Sequence, residues 1–531
     1  MYIICAFLSF MFFAYKRTMF YSLFFQQERY QTKSFIHFIF HKFQLVDKRL
    51  SLIFFLYTIF ATGTKIYPLD VAVTSLAFIT FALMTPNPTK QSFAKKKLDL
   101  TKRIKRILQI AFVIDICMSS SLFYYTYKLY TKDIYCFCEI MGYLIFVIQL
   151  LPFTLIIANL LLSPLEFFIR RRYIAQARAK LQKINPVVIG ITGSFGKTST
   201  KNILNHILSS VSTSMTTARS INTLMGITQV IREELKPQYK YFIVEVGTSR
   251  SGRIRKICNL IEPTFGILTA IGSAHFENFK SKDAIAKEKF DLIKSVKKNN
   301  GFYVINSKLV DDKYIKKYRA DRTDFDITDI STSVNGLSFN LHYNKNTYKI
   351  TAPVFGKHQA QNISLAFIMA LKLGLSPDTI IATLKSLPQT EHRLEVKKQL
   401  NGAIIIDDAF NSNIDGFKSA LETLHSLSLE NKGRAILITP GMVELGNQHD
   451  AQHREVAETA LDTCDIVIAV VPDRIKSFTD TFKNGKRDNQ ELIFVDTLKQ
   501  AQEWLNLNMR ANDVVLYEND LPDVFEAKIN I

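Results

Sequence analysis

An apolar run, Val187 to Ile191, leads without a spacer into Thr192-Gly193-Ser194-Phe195-Gly196-Lys197-Thr198, and a helical stretch, Lys201 to Ser209, follows. Strand, glycine turn and helix in that order admit few architectures, because the pattern belongs to a parallel sheet whose strands end at helix N-termini. Backbone N–H groups in such a turn, backed by the helix dipole, cradle phosphate. Lys197 is spaced to reach the terminal phosphates, and Thr198 to offer its hydroxyl to Mg²⁺. The Walker spacing asks for glycine at 191; here Gly190 comes one residue early, and Gly193 and Gly196 supply the tight backbone. The segment predicts a nucleotide-binding α/β domain.

The chain beyond Pro186 keeps this rhythm of short Val/Ile-rich runs and amphipathic stretches. Strands are expected at Val187 to Ile191, Tyr241 to Val246, Phe265 to Ala270 and Phe302 to Ile305, with a helix at Gln359 to Leu373 closing the set. A second set runs through Ala403 to Ile406, Ala435 to Thr439, Asp465 to Val471, Leu492 to Val495 and Asp513 to Tyr517, joined to the first by His392 to Lys398. Two α/β domains meeting near residue 395 are implied. The first is a P-loop ATPase domain with a mostly parallel sheet, the second a Rossmann-like domain. Ligands are expected outside the carboxyl ends of their strands. Tyr241-Phe-Ile-Val-Glu245 ends one strand in a carboxylate suited to the Mg²⁺ that Thr198 touches.

The first third reads differently. Of the net +20 charge, residues 1–180 carry +15, from 23 basic and 8 acidic side chains, set between apolar runs at 1–25, 50–64, 66–85, 107–127 and 140–163. Runs of about 20 apolar residues match the thickness of a bilayer core, and basic loops such as 95–106 mark a cytosolic side. These features predict an α-helical membrane region of about five spans at 1–165, a basic linker at 166–186, a central ATP-binding domain at 187–395 and a C-terminal domain at 396–531. Multi-pass placement in a bacterial inner membrane follows, with lipid as a partner and the catalytic domains in the cytoplasm. Asp115 falls within an apolar run and is expected to face the bundle or water. A charge confined to lipid-like loops argues against nucleic acid as a partner. Six cysteines without paired spacing argue against a zinc site or disulfide framework.

Several ordered motifs then carry a specific resemblance. They are Gly190 to Thr198, Asn222-Thr-Leu-Met-Gly226, Val244-Glu245-Val-Gly247, Gly272-Ser-Ala-His275-Phe-Glu277, Ile285-Ala-Lys-Glu-Lys289, Gly356-Lys-His358 with Asn362, Arg393-Leu-Glu395, Asp407-Asp-Ala-Phe-Asn411-Ser-Asn413 and Gly441-Met-Val-Glu-Leu-Gly446. Over residues 186–531 the chain resembles the Mur ligase family, in the type that adds D-alanyl-D-alanine to the cell-wall precursor. The resemblance implies ATP-dependent amide formation on a UDP-muramoyl-tripeptide carboxylate through an acyl phosphate, with ATP and Mg²⁺ required and muramoyl peptide and D-alanyl-D-alanine as substrates. It gives Thr192, Gly193, Ser194, Gly196 and Lys197 to the phosphates, and Thr198 with Glu245 to one Mg²⁺. His275 resembles the ligand of a second Mg²⁺, and Lys289 the lysine that CO₂ carbamylates beside it. Lys197, His275 and Lys289 are the implied catalytic residues. Asn362 looks like the adenine contact, Arg393 the hinge guanidinium reaching ATP, and Asp408 the ribose-side carboxylate; Asn222, Asn411 and Asn413 fall to the substrates.

Some positions depart from the family pattern. Gln359 replaces Asn, His392 replaces the glycine before the hinge arginine, and Phe410 replaces Tyr. The stretch that reads Lys-Gly-Ser-Arg in the family is Tyr517-Glu-Asn-Asp here, exchanging basic groups for acids. The family's N-terminal nucleotide-sugar domain has its place taken by the apolar segments. Two other functions fit parts of the pattern: a Mur-like ligase acting on a lipid-linked or other envelope acceptor, and an ATP-driven membrane transporter or regulator. A strict requirement for an amine acceptor separates ligase from motor.

Overall fold

The computed structural model describes residues 2–41, 67–89, 97–130, 136–218, 221–248, 250–272, 279–333, 335–409, 412–443 and 445–519. They divide into two compact units, Met1–Arg170 and Arg171–Leu521.

The first unit is helical, with helices Tyr2–Gln27, Thr32–His41, Tyr67–Met84, Lys102–Tyr130 and Cys136–Leu161. Its core is aromatic: Phe20, Phe24, Phe25, Phe35 and Phe38 pack with Ile104, Ile107 and Leu155. Polar groups are enclosed with them. The Thr18 hydroxyl donates to Asp115 Oδ2 at 2.9 Å, and Arg17 donates to the Tyr21 hydroxyl at 2.9 Å.

This unit corrects the five-span expectation. Among the described residues no single helix is long and apolar enough to cross a membrane. Only the pair Val147–Leu161 and Ser163–Ile184, bent by 52°, passes the test of length and composition together. The multi-pass inner-membrane placement therefore does not hold; the run at 50–64 lies outside the described residues. The physical reason is that apolar composition alone does not distinguish a lipid-facing helix from one that buries its apolar side chains against its neighbours. Here the apolar runs continue into basic turns, Lys102 to Arg106 among them.

Among the described residues the second unit holds three sheets. In the first, β1 (Val187–Thr192), β2 (Ser214–Thr216), β3 (Tyr241–Glu245), β4 (Phe265–Leu268) and β5 (Phe302–Ile305) lie in the order β2-β3-β1-β4-β5, every pair parallel. Both faces are covered, so the strands are apolar almost throughout. Ile189, Ile191, Ile243 and Ile267 pack toward helices Lys197–Ser209 and His358–Lys372. Val188, Phe242, Val244 and Leu268 pack toward helices Arg253–Ile261 and Lys282–Lys298.

An antiparallel sheet of β6 (Asp326–Ser333), β7 (Gly336–Tyr343) and β8 (Asn346–Ala352) follows. It adds Leu337, Phe339, Leu341 and Ile350 to the first of those cores. The third sheet combines β9 (Glu395–Lys398), β10 (Ile404–Asp408), β11 (Ala435–Thr439), β12 (Ile466–Val470), β13 (Glu491–Val495) and β14 (Val514–Glu518) in the order β13-β12-β11-β14-β10-β9. It is parallel except for β9. The nine strands expected from the apolar runs are all present. The short β2, the antiparallel sheet and the link strand β9 are additional, and the helix after the glycine turn begins at Lys197 rather than Lys201.

Candidate active site

The turn between β1 and helix Lys197–Ser209 is built so tightly that two positions tolerate only glycine. A Cβ on Gly193 would lie 1.9 Å from Thr269 Oγ1, and one on Gly196 would lie 2.5 Å from Asn362 Oδ1. Gly196 also sits at φ +77°, which side-chain-bearing residues rarely adopt. Thr269, at the end of β4, donates its hydroxyl to the Phe195 carbonyl, and the Gly272 N–H donates to Ser194 Oγ at 2.9 Å. The Lys197 ammonium donates to the Gly193 and Ser194 carbonyls at 2.8 and 3.1 Å. Thr192 is fully buried, and its hydroxyl oxygen has no partner among the described residues.

Beside the turn, Glu245 at the end of β3 is 1 % exposed yet keeps a carboxylate surrounded by donors. Thr198 Oγ1 donates to Oε2 at 2.8 Å, Asn222 Nδ2 donates to Oε1 at 3.1 Å, and Lys201 Nζ lies 4.0 Å from Oε2. Lys201 is itself buried and donates to the Thr217 carbonyl at 2.6 Å. Its burial pulls its pKa down, against the opposing pull of Glu245. Sequence reasoning passed over Lys201, although a lysine one turn after Lys197, on a helix with so many buried positions, signals an internal charge partner.

Lys289 enters from helix Lys282–Lys298 and is also buried. Burial, together with the charge of Lys197, brings its pKa down to about 7, while Glu288 and Glu245 oppose the shift. Lys197 is likewise lowered, first by burial. The neighbouring Glu288, which the sequence did not single out, accepts the N–H groups of Gly252, Arg253 and Ile254 at 2.6, 2.9 and 2.8 Å. It thus caps helix Arg253–Ile261 from outside and fixes the helix that carries Lys289.

Asn362 is held by Thr200, whose hydroxyl donates to Oδ1 at 3.3 Å, and donates in turn to Gln359 Oε1 at 3.0 Å. A cleft next to it is lined by Ser199, Asn202, Gln359, Gln389, Thr390 and Arg393. Arg393 stands between two residues with left-handed backbone, His392 at φ +57° and Leu394 at φ +53°. Burial lowers the Arg393 pKa, and Asp408, Glu245 and Glu518 oppose that shift. Asp408 ends β10 and accepts the Leu394 N–H at 3.1 Å.

The structure thus gathers Lys197, Thr198, Glu245, Asn222 and Lys289 around one turn, with Arg393 acting on Lys197 from the hinge. Asn413 is engaged locally: its side chain caps helix Ile414–Asn431 by accepting the Gly416 N–H at 3.1 Å. His275 and Asn411 lie outside the described residues. Thr198 and Glu245 offer only oxygen, a donor set suited to a hard cation such as Mg²⁺.

Residues 191–370 match the Mur ligase middle domain, and residues 392–517 match the Mur ligase glutamate ligase domain. The UDP-N-acetylmuramoyl-tripeptide–D-alanyl-D-alanine ligase of Bacillus subtilis is 30 % identical over 304 residues, covering 56 % of this chain and 63 % of that protein. The enzyme of the same name from Escherichia coli is 27 % identical over 290 residues, covering 52 % of this chain and 63 % of that protein. The chain therefore spans under two thirds of the length of these two relatives. Among solved structures, the MurF ligase of Thermotoga maritima in complex with ADP shares the fold at TM-score 0.59 and 24 % identity, over 67 % of this chain and 81 % of that one. The two domain matches fall in order on the two sheets that carry the phosphate turn and the hinge-side acids, and this chain belongs to the Mur ligase family.

Proposed function

We propose that the protein is an ATP-dependent amide ligase that adds D-alanyl-D-alanine to the carboxylate of a UDP-muramoyl-tripeptide. The observation that carries this reading is the grouping of Lys197, Lys289, Thr198 and Glu245 at one phosphate-type turn, with Arg393 and Asp408 supplied from the hinge and the third sheet. The names of the Bacillus subtilis and Escherichia coli relatives support the choice of substrates.

In such a reaction a carboxylate oxygen takes the γ-phosphoryl group and ADP leaves. The amine nitrogen then attacks the acyl carbon, phosphate departs and the amine loses a proton. The enzyme's task is to hold anions together and keep water out. The Thr192–Gly196 backbone and Lys197 receive the phosphates, and Thr198 and Glu245 hold Mg²⁺, with Asn222 and Lys201 fixing the carboxylate. Bound Mg²⁺ would neutralise phosphate charge. His275 is the proposed ligand of a second ion. Asn362 contacts the adenine and Arg393 reaches the nucleotide from the hinge. Asp408 stands on the ribose side, and Asn411 is a proposed substrate contact. Lys289, buried and easily deprotonated, suits carbamylation: the ammonium gives up one proton, the neutral nitrogen bonds to the carbon of CO₂ and releases a second, and a cation becomes an anion that would be able to face metal.

The test is ADP release by the full-length protein with ATP, Mg²⁺, UDP-muramoyl-tripeptide and D-alanyl-D-alanine, omitting each in turn. Release that needs all four, with the pentapeptide product seen by mass, is the expected result. Release that continues without an amine would overturn the ligase reading.

A further inference from the structure

Glu518 is fully buried, and no step above uses it. It ends β14 in parallel register with Asp408 at the end of β10. Its two carboxyl oxygens have unequal surroundings: Oε1 accepts the Ser412 hydroxyl at 2.5 Å, while Oε2 is buried with no donor beside it among the described residues. Asp408 is better provided for, since it accepts the Leu394 N–H, and the Arg393 charge, which reaches both carboxyls, weighs more on Asp408 than on Glu518.

Two carboxyl groups in contact and out of water do not both ionise, and the shared proton settles on the one whose charge is less well solvated. We propose that Glu518 is a carboxylic acid at neutral pH whose Oε2–H donates to Asp408, and that in this form it is a positioning residue for the hinge arginine. The missing donor at Oε2 is then accounted for, because Oε2 is the donor. Burial first, then the charge of Asp408, pushes Glu518 well above the usual carboxylate range, while burial raises Asp408 only to about 7, against the opposing pull of Arg393 and the Leu394 N–H. The charged groups acting on the pair are Arg393 from the hinge and Asp407 beside Asp408 on β10. With Glu518 neutral, the Asp408 carboxylate is held toward Leu394 and Arg393, and one guanidinium meets one carboxylate. A second negative charge would draw Arg393 toward the sheet and away from the nucleotide phosphates. This role rests on the ATP-dependent reading above, through Arg393.

Glu518→Gln separates the alternatives, because an amide has the shape of the neutral acid, can donate to Asp408 and can accept from Ser412. ATP binding to the full-length protein is measured by calorimetry from pH 6 to pH 9.5, values chosen as roughly spanning the range in which a shifted carboxyl titrates. Wild type is expected to lose affinity toward the alkaline end. Glu518→Gln is expected to bind within about threefold of wild type at neutral pH and to lack the alkaline loss, and Glu518→Ala to bind about tenfold more weakly, about 1.4 kcal/mol. Infrared difference spectra at neutral pH are expected to show a protonated-carboxyl stretch that Glu518→Gln removes. A folded Glu518→Gln protein that binds more than about tenfold more weakly would overturn the proposal, since Glu518 would then act ionised. No loss of the carboxyl stretch in that variant would overturn it as well. The infrared band needs neither nucleotide nor turnover, so a protein that shows the band but does not bind ATP refutes the functional reading and the positioning role together, and leaves only the protonation.

Discussion

Of the three lysines with lowered pKa values near one turn, Lys197 and Lys289 do different work, and single substitutions separate them. Lys197 is tied to the turn carbonyls, and its charge is the one aimed at phosphate. Lys197→Ala is expected to cut ADP release by at least about a thousandfold, as loss of a preorganised charge in a desolvated site does, with little change in the unfolding midpoint. Activity near wild type would show that another group neutralises the phosphates. Lys289, at about 7, is already half neutral at physiological pH, and neutral amine is the form that reacts with CO₂. Activity is therefore expected to rise with bicarbonate and to fall below pH 7 as the amine protonates. Lys289→Ala is expected to be nearly inactive and partly restored by small carboxylic acids such as acetate; absence of rescue would make Lys289 a cation in its own right. At the same scale, His392 shows how a departure from pattern is accommodated. Its left-handed backbone explains why glycine is usual there, and its imidazole is tied to Asp407 Oδ2 at 2.8 Å.

Helix Arg253–Ile261 begins at Gly252, which has no side chain to offer the first turn, and the cap comes instead from Glu288 on another helix. Glu288→Ala would leave three N–H groups without that acceptor, at a cost of about 2 to 4 kcal/mol. Glu288→Gln keeps one acceptor oxygen and should cost about half as much. The urea midpoint of the unit containing the site is the measurement, and equal loss in both variants would mean packing, not capping, is at stake. This contact also marks what the sequence could show. Glu288 lies in a quoted motif, but its partners are backbone groups some 35 residues away, which no local pattern reveals. Nine strands of the two larger sheets were legible because each is a short, mostly apolar run, whereas the three-residue β2 and the polar β9 were not. β6 to β8 were not, because Asp326 to Ser333 is polar apart from Ile327 and Ile330, although Leu337, Phe339, Leu341 and Tyr343 alternate as a half-buried strand should. The turn residues Lys197 and Thr198 were legible from spacing, and Glu245 from its place at a strand end. Lys201 and Glu518 were not, since each matters through a partner from another element. The helical unit was misread for the opposite reason: its apolar periods were clear, and the inference from them to lipid was not warranted.

Across the second unit, pH acts on stability from both sides. Glu518 binds its proton more tightly folded than unfolded, so its contribution is complete below the ordinary carboxylate pKa and is lost as pH rises through the folded value. His453 does the reverse. It is fully buried, its Nε2 accepts the Met442 N–H at 3.0 Å and its Nδ1 faces the His449 carbonyl at 2.7 Å, so the ring is neutral with its proton on Nδ1. A second proton would meet the Met442 N–H head on, and burial brings the pKa from 6.5 down to about 4. The folded state therefore takes up this proton later than the unfolded one as pH falls. The stability that His453 provides is present above pH 6.5 and is lost between 6.5 and about 4, on the order of 3 kcal/mol for a shift of that size. The loop it supports, Pro440 to Met442, is also held by Arg474 on two carbonyls and by Asn519 on Gly441, so acid should loosen the carboxyl end of β11 in the third sheet ahead of the first sheet. Calorimetric unfolding between pH 7 and pH 4 is expected to show a falling transition in wild type and a shallower fall in His453→Gln, which keeps an acceptor for Met442 but has no proton to gain. Equal slopes in the two proteins would mean that His453 titrates as it does in the unfolded chain, and the acid sensitivity of the unit would then rest on its carboxylates.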